Sequence, residues 1–184
     1  KHPLPEPFLV LATQNPIEME GTYPLPEAQL DRFLFKLIVD FPSLDELVEI
    51  IRRTTGKDET LPEKILHGDE IIEMRNLVRE VILSEKLEQY VGKLILATHP
   101  GSSFAGEKTN RYVLYGSSPR GAQAIILTAK IRALLDNRYN VSFSDVKSVA
   151  RPSLRHRIIL NFEGQAEGIR TDDIIEQILL EILE

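Results

Sequence analysis

Apolar residues along this chain change their spacing near position 42. Before it they come in short runs, Phe8-Leu9-Val10-Leu11-Ala12-Thr13 and Phe33-Leu34-Phe35-Lys36-Leu37-Ile38-Val39-Asp40. A short apolar run suits a strand covered on both faces, as in a parallel sheet. Between the runs, Gly21-Thr22-Tyr23-Pro24 reads as a turn-rich loop. Pro26 through Arg32 reads as a short helix with Pro26 near its first turn. Residues 1–41 therefore predict a strand, a helix and a strand. Two strands leave open edges and half a core, too little sheet to fold alone.

After Phe41-Pro42 the period becomes helical. Ser43 is placed to cap a helix through Thr54, with Glu46 three residues on as a capping box. Residues 56–68 form a polar connection. A helix follows from about Asp69 to Val81, and Ser84 caps another with Leu87, Val91, Leu94, Ile95 and Leu96 inward. Gly101 to Gly116 reads as irregular and polar. Ser118-Pro119 opens a long helix to about Asp136, Ser144 starts a shorter one, Pro152 a brief turn, and Thr171 to Glu184 closes the chain. The fold class expected is mainly α: the end of a parallel α/β core over 1–41, then a helical bundle over 42–184.

The 184 residues suffice for one ordinary domain, or the end of one and a second small one. Apolar residues make up 42% and charged residues 27%, the mixture of a globular protein. No stretch reaches the roughly 18 apolar residues of a membrane span. Residue 1 is Lys, no secretory signal is visible, and Lys1 to Pro7 runs straight into an apolar run, which reads as a cut chain. Cysteine is absent, so no disulfide framework or thiolate metal site exists, and a reducing cytoplasm fits. The net charge of -6 argues against nonspecific nucleic-acid binding, which usually needs a basic face.

Three polar residues stand where chemistry could act. Asn15 follows the first apolar run, and ligands of open α/β sheets sit beyond the C-terminal ends of the strands. An asparagine there can orient a water or bond a terminal phosphate, although Asn-Pro is also a common turn starter. Arg32 ends the short helix. It complements the negative end of the dipole, and it also has the planar, permanently charged fork of an arginine finger. Arg120 falls in the first turn of the helix opened by Ser118-Pro119, where a cation opposes the dipole at about 0.3–1 kcal/mol. Either a nearby carboxylate offsets that cost, or an anion binds Arg120 together with free N–H groups of the helix end.

Other candidates carry less. The run from Gly101 to Thr109 looks like a phosphate loop, but Glu107 stands where the lysine should directly follow the second glycine, and no buried strand precedes it. His2, His67, His99 and His156 lack metal-ligand spacing. The basic run Arg151 to Arg157 is short and without interleaved aromatics, so pairing with acidic neighbours is expected rather than nucleic acid. Glu18 and Glu20 lack a supporting constellation.

Taken together, Ala12-Thr13-Gln14-Asn15-Pro16, the block from Glu20 to Phe33, and Ser117-Ser118-Pro119-Arg120-Gly121 resemble the MoxR family of AAA+ ATPases. Leu154-Arg155-His156-Arg157-Ile158 is similar to that family's lid. The resemblance implies that Asn15 is sensor 1, that Arg32 is a finger reaching the ATP of a neighbouring subunit, and that Arg120 is sensor 2. It implies a ring, usually of six subunits, that remodels or matures protein complexes and commonly acts with von Willebrand factor type A domain proteins. ATP and Mg2+ are the implied cofactors. The family's Walker A lysine and Walker B acids are expected upstream of Lys1, so negligible ATPase activity is expected from these 184 residues alone. The connection from Gly101 to Tyr115 is longer than the family's usual approach to sensor 2. Lid rotation about Phe41-Pro42 is the implied motion. The competing readings are a helical interaction module without nucleotide chemistry and a DNA-directed motor related to the MCM helicases.

Overall fold

Serine and asparagine caps set where most helices begin. The computed structural model describes residues 2–14, 25–56 and 63–183. In chain order the elements are α1 (Glu27–Leu30), α2 (Leu44–Thr55), α3 (Gly68–Glu80), α4 (Glu85–Ala97), α5 (Glu107–Tyr112), β1 (Val113–Tyr115), α6 (Pro119–Leu135), α7 (Phe143–Leu154), β2 (Ile159–Leu160), α8 (Phe162–Ala166) and α9 (Thr171–Glu181). Ser43 and Glu46 form the expected capping box on α2. Ser84 and Ser118 cap α4 and α6 through side-chain acceptors, with Pro119 at the first helical position. α6 ends through Asn137, whose φ of 55° is the left-handed turn that lets Arg138 N–H reach back to Ala133 O at 2.8 Å.

The mainly α expectation agrees with this architecture, but the strands lie elsewhere than the apolar runs. Neither 8–13 nor 33–40 is a strand. Leu11 and Val39 are 88% and 90% exposed. Part of the reason for the second run is that donors from the end of α7 already occupy its backbone. Lys36 N–H donates to Pro152 O at 3.0 Å, and the carbonyls of Phe33, Leu34 and Lys36 accept from His156, Arg157 and Arg155. The strands that do pair are β1 and β2, antiparallel, with Val113 opposite Leu160 and a bulge between Val113 and Tyr115.

Among the described residues, every buried position lies at or beyond Val81. The core gathers Tyr90, Val91 and Leu94 of α4, Ile125 and Ala129 of α6, Val146 and Leu154 of α7, and Ile174 and Ile175 of α9. Buried Gly121, Ala124, Ala129 and Ala133 give α6 a face of small residues against which its neighbours pack closely. Tyr90 meets Phe143 edge to face, with ring centroids 5.0 Å apart.

Four local expectations change. Leu96 is exposed, because three consecutive apolar residues sweep about 200° of a helix and one face cannot bury them all. The stretch 101–116 is not irregular throughout: it holds α5 and β1, with Thr109, Tyr112 and Val113 buried. Its anchors are distant in sequence. Arg111 pairs with Glu163 and Glu167 at 2.7 and 2.9 Å, and the Tyr112 hydroxyl donates to Glu167 at 2.9 Å. Ser142, not Ser144, caps α7, and Pro152 continues that helix in its last turn instead of starting a new one. Among the described residues no helix is long and apolar enough to cross a membrane.

Candidate functional site

The chain bends back on itself so that the turn after α1 meets the start of α6 and the end of α7. Asp31, in that turn, is the meeting point. Its carboxylate accepts from Ser118 Oγ, which lies 2.9 Å from both oxygens. It accepts from Arg157 Nε at 3.1 Å and pairs with Arg120 Nη1 at 3.4 Å. Ser118 thus has two tasks, since its hydroxyl oxygen also accepts from Arg120 N–H to cap α6 at 3.2 Å. Gly116 and Gly121 let the strand-to-helix connection pack tightly. A Cβ at Gly121 would meet Ser117 Oγ, and Leu154 Cδ2 at 2.9 Å.

Arg120 therefore has the carboxylate partner that its unfavourable dipole position called for, but the hold is loose. Its side chain is 50% exposed and touches only one Asp31 oxygen among the described residues, a pairing worth about 0–1 kcal/mol. The free N–H groups expected at this helix end are not free. Pro119 has none, Arg120 N–H goes to Ser118 Oγ, and Gly121 N–H goes to Ser118 O at 2.9 Å. What faces outward at this helix end is the Arg120 guanidinium.

Arg157 is the reverse case. Its side chain is 3% exposed and its Nη atoms bond Asp31 O, Phe33 O, Leu34 O and Ser153 O. Burial lowers its pKa, the Asp31 charge and hydrogen bond oppose that, and the nearby Arg120 adds to the lowering. Two guanidiniums share one carboxylate, so this cluster keeps a surplus positive charge. Arg32 follows Asp31 directly. Its side chain is exposed and makes no hydrogen bond or ion pair among the described residues. Asn15 lies outside the described residues, as do Glu18, Glu20 and Gly21 to Pro24.

The basic run is paired with acids, as expected: Arg151 with Glu176 at 3.0 Å, Arg155 with Asp172 at 2.8 Å, and Arg157 with Asp31. Asp31 has no site role in the sequence pattern, and Arg157 enters it only as the end of the basic run and as part of the lid resemblance. Their signal is an acid directly before a candidate finger and a basic run with too few local acids to neutralise it.

His156 Nε2 lies 3.0 Å from Phe33 O, which can only accept, so Nε2 carries the proton. Nδ1 is buried and has no hydrogen-bond partner among the described residues. Burial lowers the His156 pKa, the Phe33 carbonyl opposes this, and the Arg157 and Lys36 charges lower it further. A depressed folded pKa means the neutral ring contributes stability above the ordinary histidine value, about 6.5, which is lost as pH falls through the folded value. Thermal unfolding followed from pH 7.5 to 5 should show this loss, and His156→Gln should flatten it. An equally steep profile in the variant would refute the assignment.

Among the described residues no group of histidines and carboxylates could hold a metal ion. The surplus guanidinium charge fits phosphate oxygens, but the described residues offer no magnesium ligand set.

Residues 1–35 match the model of the ATPase family associated with various cellular activities (AAA), and residues 107–178 match that of the AAA lid domain. The chain is 38% identical over 177 residues to chaperone MoxR1 of Mycobacterium tuberculosis, covering 96% of this chain and 47% of that protein. It is 37% identical to protein YeaC of Bacillus subtilis, covering 96% of this chain and 52% of that one. A crystal structure of a candidate ATPase from Cytophaga hutchinsonii superposes with a TM-score of 0.91 at 44% identity, covering 99% of this chain and 56% of that one. The chain spans about half the length of the curated relatives it matches. The AAA match over 1–35, the lid-domain match over 107–178 and these relatives together place the chain in the MoxR family of AAA ATPases.

Proposed function

We propose that these residues are the sensor and lid part of an ATP-hydrolysing MoxR-type ring that remodels or matures protein complexes. In this reading 1–41 complete the α/β core and 42–184 form the lid. Asn15 and Arg120 face the subunit's own nucleotide, and Arg32 faces the nucleotide of the next subunit. The phosphate cradle and the magnesium ligands belong to the part of the relatives' length that this chain does not carry. Magnesium would supply charge neutralisation between the phosphates there. Partners of this kind of ring include von Willebrand factor type A domain proteins, and the working compartment is the cytoplasm.

The observation that carries the reading is the loose hold on Arg120. A half-exposed guanidinium at 3.4 Å from a carboxylate it shares with another arginine can turn to a phosphate at little cost. The chain's own residues then act by position and charge: Arg120 binds phosphate oxygens, and Asp31 with Ser118 keeps its helix end in place. The relatives' names support the chaperone role, since the first is a chaperone. The pairing of the basic run with acids speaks against its use as a DNA-binding face, and so against a DNA-directed motor.

ATP titration tests this reading. The 184-residue segment should bind ATP negligibly. The full-length protein should bind and hydrolyse it, with Arg120→Ala weakening affinity about 10- to 100-fold, the worth of a charged hydrogen bond. A full-length protein that neither binds nor hydrolyses ATP overturns the reading in favour of an interaction module.

A further inference from the structure

We propose that Arg157 is a positioning residue for Arg32: the lid grips the turn that presents the arginine to the neighbouring subunit. This rests on the finger reading of Arg32 given above.

The grip is unusually complete. A guanidinium has five N–H donors. Arg157 directs Nε to Asp31 Oδ1 at 3.1 Å, Nη2 to Asp31 O at 3.1 Å and Phe33 O at 2.7 Å, and Nη1 to Leu34 O at 3.3 Å and to Ser153 O. Four of the five bonds therefore land on residues 31, 33 and 34, on both sides of Arg32. The fifth ties the guanidinium to Ser153 O in the last turn of α7. His156 adds a second donor to Phe33 O, and Arg155 Nη1 bonds Lys36 O at 3.2 Å. Lys36 N–H returns a bond to Pro152 O. Three consecutive lid residues thus fix the backbone from Asp31 to Lys36.

The side chain between these anchors is left alone. The Arg32 guanidinium is exposed and makes no hydrogen bond or ion pair among the described residues, although the residues on either side are held. A backbone fixed this tightly around an unengaged cation limits where the guanidinium can reach. Catalysis by positioned charge is sensitive to such placement, and a misplacement of about 1 Å can cost about 10²-fold in rate. Burying a guanidinium is costly unless it is fully paired. Here full pairing is met chiefly by the Arg32 turn, so the turn and the lid move together.

The test uses the full-length protein and separates effects in the same subunit from effects on the next one. Arg157→Gln should lower kcat about 10²-fold with an unchanged KM for ATP. Arg157→Lys retains the charge but has three donors, and should also be slow. Mixing either variant with subunits that lack the phosphate-cradle lysine, but carry intact Arg157 and Arg32, should restore activity, because each functional site then receives its finger from a sound neighbour. Arg120→Ala should not be restored by the same mixing. If Arg157→Gln does not assemble, Arg157→Lys carries the test. Wild-type turnover by an assembled Arg157 variant, beside a dead Arg32→Ala ring, overturns the positioning role and leaves the finger reading intact. Loss that mixing cannot restore overturns it too. Normal turnover by Arg32→Ala itself defeats the finger reading.

Discussion

Arg32→Ala in the full-length ring should abolish ATP turnover while leaving ATP affinity largely unchanged. The expected loss in kcat is about 10³- to 10⁵-fold, the worth of a guanidinium supplied to a developing phosphoryl charge. The side chain has the properties such a role needs. It is exposed, unpaired among the described residues and permanently charged. It also sits on a backbone held from both sides by Arg157. Affinity should hold because a finger, as proposed, acts on the neighbour's site in the transition state rather than in ground-state binding. Steady-state kinetics and equilibrium ATP binding, measured on the same preparation, decide it. Mixing with a subunit dead in its phosphate cradle should recover part of the activity. Normal turnover by the Arg32→Ala ring would leave the residue only its role at the helix end.

Asp145→Ala should be the most damaging single change to the fold itself. Asp145 is 4% exposed and receives both Nη atoms of Arg138, at 2.7 and 2.9 Å. It also closes the capping box of α7, accepting from Ser142 N–H at 2.8 Å. Truncation leaves those donors short of a buried acceptor and removes the carboxylate half of the capping box, while Ser142 Oγ still accepts from the backbone N–H of residue 145. Breaking a buried pair costs about 3–5 kcal/mol. Arg138 keeps Asp136 and Asn140 O as partners, so the lower end, about 3 kcal/mol, is expected. Thermal melting should fall by about 6–12 °C.

The pH dependence of the same pair has a definite sign. Burial alone would raise the Asp145 pKa, but the hydrogen bonds from Arg138 and Ser142 outweigh it and hold the carboxyl below its usual value. Its contribution is therefore present above the unfolded value, about 3.9, and lost as pH falls through the lowered folded value. Arg138→Met should move that loss to higher pH, because burial then acts with its main opponent gone. Denaturant melts between pH 3 and 7 would show it, and a melt indistinguishable from the wild type at every pH would refute the pairing.

Several features were legible in the chain before any coordinates. The capping serines at 43, 84 and 118 and the proline at 119 declare helix starts through local chemistry that acts within four residues. The pairing of the basic run was legible too, because an acidic chain with a short basic stretch offers more acids than bases. The apolar runs at 8–13 and 33–40 misled. Their composition suits strands, but a strand exists only where another chain segment offers matching donors and acceptors. At 33–40 the donors came instead from the side chains of Arg155, His156 and Arg157, just past the end of α7.

By itself, then, the sequence determined the starts of α2, α4 and α6 and the mainly helical class, because each depends on neighbours within a turn or on a short motif. Only the tertiary structure decided that Asp31 joins Ser118, Arg120 and Arg157, across separations of up to 126 residues. It also decided that α5 and β1 form in a polar stretch, through ion pairs to residues more than 50 positions away. Local rules cannot see such partners. A carboxylate's worth depends on which charges the folded chain brings within about 4 Å, and the backbone path sets that distance.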